Sequence, residues 1–440
     1  GRPQHAEPGW KGAPLPASIL ETEILPARLG AYDPADLDTV IAAGEVIWVG
    51  LEPLGERDGR VALYLADHWP RLRSPAGIGA AETKDLSDRE SAILSTLSAR
   101  GASFFGALHE AVGAGYPGET VDGLWNLAWR GLVTNDTLHP LRAFTRSRAT
   151  SRRRARQAPG PAFRSRRLAP PSAEGRWSLV PASADVEDSP SRSPLSLRRR
   201  TAAHTTWATA LSQQLLARHG VLTREAVAAE AIAGGFGAVY PVLKALEEAG
   251  RLRRGYFVAG LGATQFALPG ALDLLRSLRD SPDDPEVVEL AATDPANPYG
   301  TILKWPAGAA RAASARQTTV GATTHADGLD PSAGSTGRGP TRTVGATVVL
   351  VDGALVAYLA RGDRQLTTWL PETDPQRGRA ARAVARVLAD RSRRGGDAPR
   401  GMLIEEIDGV PAQHHPLART LVEDGFVAGA LGLQATLRRL

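Results

Sequence analysis

A short plan recurs along this chain: a helix, a glycine that stops it, then two short strands across a tight turn. Residues 205–268 show it most fully. Thr205 to Arg218 reads as a helix with Trp207, Leu211, Leu215 and Leu216 on one face, ended by Gly220. Thr223 caps a short second helix to about Glu230. Ala238 to Ala249 is a third, with Val239, Val242, Leu243 and Leu246 inward and Gly250 as its stop. Leu252 to Val258 then reads as a strand, Gly260-Leu261-Gly262 as a turn and Thr264 to Leu268 as the return. Three helices followed by a hairpin is the winged-helix arrangement, a helix-turn-helix carrying a β-wing.

Two further stretches repeat the plan. In 85–145, Ser87-Asp88-Arg89-Glu90 forms a capping box before Ile93, Leu94 and Leu97, and Thr120 caps a third helix with Val121, Leu124, Trp125 and Ala128 inward. In 16–70, Asp33-Pro34 starts a helix stopped by Gly44, and Val46–Leu51 and Val61–Ala66 pair across the polar turn Gly55 to Gly59. Beyond 281 the signals change. Strand-like runs (287–292, 301–305, 344–351 and 354–359) flank an Ala/Gly/Thr/Ser-rich loop, and Asp352-Gly353 is a strong hairpin turn. Ala380–Asp390 and Pro416–Asp424 read as helices. The expected fold class is α+β, tandem winged-helix domains followed by a small β-barrel module or curved sheet carrying helices. The expected division is winged helices at 1–84 (lacking its first helices or holding them as short segments before Gly30), 85–145 and 201–280. A linker at 146–200 interrupts them, and a module at 281–440 with a mobile loop at 306–343 follows.

Charge sharpens this division. The chain of 440 residues carries +5, but 146–200 holds fourteen Arg against four acids, a net of +10, which leaves the rest at −5. That Arg/Pro/Ser-rich stretch has too few apolar residues to fold alone; it reads as a disordered tether, either a spacer or a weak nucleic-acid binder. With no Cys, disulfides and Cys-ligated metals are excluded. Only four Lys occur (Lys11, Lys84, Lys244 and Lys304) and none follows a Gly, so no Walker-type phosphate loop is present. There is no Gly-x-Ser-x-Gly and no His-Glu-x-x-His, and His414-His415 would face opposite sides of a regular element. No catalytic residue and no metal ligand is therefore assigned. No apolar run approaches a membrane span, and the expected location is cytoplasmic, with the nucleoid. A single Met, at 402, in a chain beginning at Gly1 reads as a piece of a longer protein.

The best candidates for DNA contact lie in the third winged helix. Arg251, Arg253 and Arg254 sit at the helix–wing junction, where guanidinium groups can clamp phosphates; a solvated edge or a packing face is the alternative. Tyr256 can stack a base, although alternation in a wing puts one of Tyr256, Phe257 and Phe266 into the core. Gln265, in the returning strand, is counted with them. The second winged helix offers only Arg130 beside Asp122 and Asn126, and packing is favoured there. The first carries Asp36, Asp38 and Glu45 near its third helix, which should repel DNA and suits a scaffold. The Asp294-Pro295-Ala296-Asn297-Pro298-Tyr299-Gly300 loop is either a rigid turn or the lining of a pocket for an everted base, with Asp294, Asn297 and Tyr299 as its polar members.

Several runs carry a resemblance. They are Leu25 to Leu29 (LPARL), Pro34 to Asp38 (PADLD), Ala43 to Gly50 (AGEVIWVG), Leu127 to Thr137 (LAWRGLVTNDT), Arg253 to Gly270 (RRGYFVAGLGATQFALPG) and Asp294 to Gly300 (DPANPYG). Together they resemble the C-terminal region of long-form members of the bacterial large helicase-related (Lhr) family, and the Arg-rich, Lys-poor composition resembles an actinobacterial member. The resemblance implies an accessory module of an ATP-dependent 3′-to-5′ DNA helicase of superfamily 2 acting in repair. The motor would lie upstream, using ATP and Mg, with no cofactor in this region. It implies tandem winged helices ending in a β-barrel, binding to DNA and self-association into a homotetramer. It also implies similarity to AlkZ-type DNA glycosylases, whose Gln-x-Gln motif is absent here: Gln213-Gln214 are adjacent and Gln265 is isolated. Related regions use an Asp near the chain end for uracil removal, whereas this sequence closes with Leu437-Arg438-Arg439-Leu440. Base excision and a purely structural oligomerisation role remain the alternatives.

Overall fold

The computed structural model describes residues 12–75, 85–146, 169–181, 194–279, 282, 284–306, 339–393 and 401–435. Most of the expected linker (147–168 and 182–193), most of the expected loop (307–338) and the chain end (436–440) lie outside the described residues. Two units divide the chain, Gly1–Arg276 and Ser277–Leu440.

The first unit holds the three winged helices. In the first, Asp33 caps helix Pro34–Ala42 by accepting from Ala35 N at 2.9 Å, and strands Val46–Pro53 and Gly59–Leu65 form the wing. In the second, the Ser87–Glu90 box starts helix Asp88–Arg100: Ser87 N donates to Glu90 Oε2 at 2.8 Å and Glu90 N to Ser87 Oγ at 3.2 Å. In the third, Thr223 Oγ1 accepts from Ala226 N at 3.1 Å, capping Arg224–Ala229, and helix Gly235–Glu248 precedes the wing. The helix expected to begin at Thr205 begins at Pro194, because the Leu, Arg and Ala of 195–203 are good helix formers.

Each of these domains builds a three-stranded antiparallel sheet with its last strand in the middle. The orders are Leu15–Pro16, Gly59–Leu65, Val46–Pro53; then Ser103–Phe104, Arg176–Leu179, Val133–Asn135; then Val221–Leu222, Gln265–Ala267, Arg253–Gly255. The middle case corrects the linker boundary. Residues 176–179, expected within a disordered 146–200, pair Trp177 with Ser103 and Leu179 with Val133. One buried aromatic decides the matter: Trp177 is fully buried and its Nε1 donates to Ala173 O at 3.1 Å. A polar, Arg-rich surround hides such a short apolar strand from composition.

Domains one and two share a core. Trp48 is buried, stacks on Trp125 at 6.3 Å and meets Trp177 edge-on at 6.5 Å. Its Nε1 donates to Asn135 O at 3.0 Å, and Thr134 Oγ1 donates to Trp48 O at 2.7 Å. The backbone approach is so close that a Cβ on Gly50 would stand 2.2 Å from Ala128 O. Helix Pro117–Trp129 therefore spends Gly123, Leu124, Trp125, Leu127, Ala128 and Trp129 on protein.

In the second unit a six-stranded sheet runs Val287–Ala291, Thr347–Val351, Ala354–Leu359, Gln365–Thr368, Glu406–Ile407, Val410–Pro411, with only the Gln365–Thr368 and Glu406–Ile407 pair parallel. Its strand order is open rather than closed among the described residues. Asp352 and Gly353 both take positive φ (50° and 77°), as a tight Asp-Gly hairpin demands. Residues 301–305, expected as a strand, contribute only a bridge between Tyr299 and Leu303. Helix Gln376–Arg393 packs Val384, Ala385 and Leu388 into a core with Ile404, Ile407, Leu421, Phe426 and Leu433.

A further sheet in this unit repeats the winged-helix order: Met402–Ile404, Gly432–Ala435, Phe426–Gly429, with helix Gln376–Arg393 before it and helix Ala418–Glu423 ahead of the hairpin. The same strand order thus occurs four times among the described residues. Periodicity conceals this copy because 405–416 interrupts it with strands that join the larger sheet.

Candidate nucleic-acid interface

The third wing is built from a helix end. Gly250 (φ 72°) lets its N–H reach Glu247 O at 2.8 Å and the Arg251 N–H reach Leu246 O at 2.9 Å. This double bond pattern closes the helix and turns the chain sharply. Leu252 is driven inward at 2% exposure, leaving Arg251 on the surface. The short strand Arg253–Gly255 is the sheet's edge, so Arg253 and Arg254 are both exposed, opposite Ala267 and Phe266. None of the three arginines takes part in an ion pair among the described residues. By contrast, the outward face of helix Gly235–Glu248 is Gly237, Pro241, Lys244, Ala245 and Glu248. Lys244 there faces Glu248 at 3.6 Å, so its charge is offset. Of these two elements, it is therefore the wing that carries positive charge without an acidic partner, rather than the helix that such domains usually lay in the major groove.

Tyr256 is 61% exposed, and its hydroxyl accepts from Gly260 N at 3.0 Å, which pins the ring. Phe266 is the core aromatic, edge-on to Tyr240 at 6.2 Å. Gln265 is corrected from a contact residue to a wing-holder. It is fully buried; Oε1 accepts from Phe257 N (2.9 Å) and Val258 N (2.8 Å), and Nε2 donates to Val258 O and Gly262 O (both 3.0 Å). An amide with every bonding position used has nothing left for a nucleotide.

Two other candidates change in the same way. Arg130 is half-buried at the end of helix Pro117–Trp129, and its charge serves Glu90. Burial raises the Glu90 pKa, but hydrogen bonds from Ser87 and Asn126, with the Arg130 charge, outweigh it and hold the carboxyl below its ordinary value. The 294–300 loop is a rigid turn. Asp294 and Asn297 are each 1% exposed. Asp294 Oδ1 accepts from Ala296 N at 2.8 Å, Asn297 Nδ2 donates to Ala292 O at 2.8 Å, and Tyr299 N donates to Asn297 Oδ1 at 3.1 Å. Arg342 donates to the carbonyls of Asn297 (2.7 Å), Tyr299 (3.1 Å) and Asp294 (3.1 Å). The Tyr299 hydroxyl accepts from Leu355 N at 3.3 Å. These side chains bond their own loop and its neighbours, so they do not line an opening for a base.

Of the acids of the first winged helix, Asp38 and Glu21 bond protein, while Asp36 and Glu45 are exposed. Asp38 accepts from Leu138 N at 2.8 Å and from Arg142 Nη1 at 2.5 Å, while Arg142 also donates to Glu21 at 2.6 and 2.8 Å. Arg142, unremarked in the sequence, is thus an ionic link between domains one and two. Between one and three, Trp207 Nε1 donates to Leu72 O at 3.2 Å. Tyr64 lies near the buried Arg218–Glu230 pair, to which His219 Nε2 adds a contact with Glu230 Oε1 at 2.9 Å. Burial first, then the Glu230 charge, pushes the Tyr64 hydroxyl up to about 12 against the opposing pull of Arg218. No group of three or more His, Asp or Glu is placed to hold a metal among the described residues, and no described helix is long and apolar enough to cross a membrane.

Comparison with known proteins agrees with this architecture. Residues 9–66 match the third, and residues 201–287 the fourth, winged-helix domain of the large helicase-related protein. The chain is 36% identical over 445 aligned positions to a protein of Mycolicibacterium smegmatis named Lhr helicase/probable uracil glycosylase, covering 98% of this chain and 26% of that protein. It is 33% identical over 441 positions to the Lhr helicase/uracil glycosylase of Escherichia coli, covering 96% and 25%. The chain spans about a quarter of the length of these curated relatives. Residues 85–181, between the two matched domains, share their strand order. On these matches and this fold, the chain belongs to the large helicase-related protein family and carries two of that family's winged-helix domains.

Proposed function

We propose that this region guides DNA and assembles subunits for an ATP-dependent 3′-to-5′ helicase acting in repair, with the ATP- and Mg-using motor outside the chain. One observation carries the DNA part. Arg251, just after the helix stop, and Arg253 and Arg254, on the edge strand whose wing Gln265 locks, are exposed and without acidic partners among the described residues. Guanidinium groups that carry no ion pair bind phosphate without first giving up a salt bridge. Domains one and two bond through Asp38, Glu21 and Arg142 and pack Trp48 against Trp125 and Trp177, which is what a scaffold for one such edge requires. Assembly into a homotetramer is supported by helix Pro269–Ser277, which buries none of its residues, and by Leu274 (59% exposed) and the adjacent Leu278 (70% exposed).

The test is anisotropy of the chain on a tailed duplex from 50 to 200 mM salt, with light scattering for mass. Replacing Arg251, Arg253 and Arg254 by Gln should lower the slope of log K against log salt by about 2.7 if each meets one duplex phosphate. A wild-type chain that leaves duplex and tail unbound at 50 mM salt refutes the reading. Base excision is the second reading, favoured by the relatives' names. Release of uracil followed by alkali cleavage would establish it. The saturated bonding of Gln265 and the burial of Asp294 within its own turn mean that neither residue is expected to carry that chemistry.

A further inference from the structure

Helix Gln376–Arg393 in the second unit has an unusual outward face. Its exposed residues are Gln376, Arg377, Arg379, Arg382, Arg386 and Arg393; every other position is buried or half-buried. Arg379, Arg382, Arg386 and Arg393 fall within about 60° of one another at 3.6 residues per turn and span about 21 Å of axis. Arg393 pairs with Asp390 at 2.7 Å. Arg379, Arg382 and Arg386 join no ion pair among the described residues. Their neighbours in the same unit behave otherwise: Arg364 meets Glu405 at 2.6 Å, Arg391 meets Glu289 at 2.9 Å, and Arg419 meets Glu423 at 3.2 Å.

Helix stability does not explain the stripe. Arg379 and Arg382 are three apart and Arg382 and Arg386 four apart, so like charges sit side by side on the helix surface and weaken it. Arg377 and Arg379 also lie in the first turn, where the helix dipole disfavours cations. The inward face already anchors the helix through Val384, Ala385 and Leu388. A solubilising surface would alternate signs, and a protein-binding surface would carry an apolar centre; no exposed residue of this helix is apolar.

We infer that Arg379, Arg382 and Arg386 form a second phosphate-binding face, taking the backbone of duplex nucleic acid without regard to sequence. The inference rests on the DNA-guiding reading and adds a contact on the other unit, on a helix rather than a wing. A duplex presents one charge per about 1.7 Å of axis, so the three arginines, which span about 10 Å of helix axis, face several phosphates at once.

The experiment uses the whole chain and a blunt 20-base-pair duplex, with the variant Arg379→Gln, Arg382→Gln, Arg386→Gln. If each arginine meets one phosphate, the salt slope falls by about 2.7, so the loss of affinity from 50 to 200 mM salt becomes about 40-fold smaller. The matching Arg→Lys variant should keep the slope, since it keeps the charges. The Gln variant should melt no lower than wild type, because it removes only repulsion. An unchanged slope in the Gln variant overturns the inference. So does a Gln variant that loses affinity for poly-glutamate but keeps its duplex slope, which would assign the face to an acidic protein segment. If the wild type binds no duplex at 50 mM salt, both readings fail. If only the wing variant changes the slope, this one alone fails.

Discussion

Replacing Gln265 by Ala separates holding the wing from touching DNA. Gln265 is fully buried and makes four hydrogen bonds to the backbone of 257–262. Each contributes about 0.5–1.5 kcal/mol net, so four amount to about 2–6 kcal/mol. Gly262 is exposed and Phe257 and Val258 are half-buried. Water recovers part of the loss at those groups, which leaves about 2–3 kcal/mol of local wing stability. At about 1.4 kcal/mol per tenfold, the Phe257 and Val258 amides should lose about 30- to 150-fold of their hydrogen-exchange protection. Pairing of Phe266 and Ala267 with both neighbouring strands remains, so the rest of the domain keeps its protection. No charge is removed. Affinity for a tailed duplex should therefore fall while its salt slope stays the same, the opposite of the arginine variants. Amide protection within twofold of wild type, or a reduced salt slope, would refute the assignment of Gln265 as a holder.

Other outcomes follow from the same geometry. Gly50→Ala should cost about 1–3 kcal/mol in a urea melt, because its Cβ would stand 2.2 Å from the Ala128 carbonyl oxygen. Glu230→Gln should cost about 3–5 kcal/mol by leaving the nearly buried Arg218 without its counter-charge. The pH dependence has a definite sign: although burial raises the Glu230 pKa, His219 and Arg218 hold it below the ordinary value of 4.5. Its contribution is complete above pH 4.5 and lost as pH falls through the lowered pKa, so an acid titration of stability should show that limb in wild type and lack it in the Gln variant. Arg142→Ala should loosen the first domain from the second, seen as faster exchange at the Leu138 amide that Asp38 accepts.

Much of the fold was legible because local chemistry set it. Ser87 and Glu90, Asp33 with Pro34, and Thr223 each mark a helix start by a bond the structure contains. Gly250 marks a stop through a bond pattern that its left-handed backbone permits. Long-range pairing was less legible. Trp177 needs Trp48 and Trp125, which lie far away in sequence, before its strand has any reason to form. The site divides along the same line. Exposure of Arg251, Arg253 and Arg254 follows from an edge strand after a glycine stop. The roles of Gln265, Asp294 and Asn297 depend on which backbone atoms come within reach, and residue type alone made all three look like ligand readers. The stripe on helix Gln376–Arg393 escaped a charge tally because that unit's net charge averages it away.

Strand Arg176–Leu179 gives the arginine-rich stretch a different address. Residues 147–168 leave the second domain after its strand Val133–Asn135 and helix His139–Thr145, and the chain then re-enters the same sheet. By connectivity they are an insertion within one domain rather than a cord between two. A protease cut there would yield two fragments that stay together, because strand Arg176–Leu179 is hydrogen-bonded on both sides and Trp177 is buried beneath it. A truncation ending near 146 would strip the sheet of its central strand and open the Trp48 cluster, so the shortest intact form of the first two domains runs to residue 181.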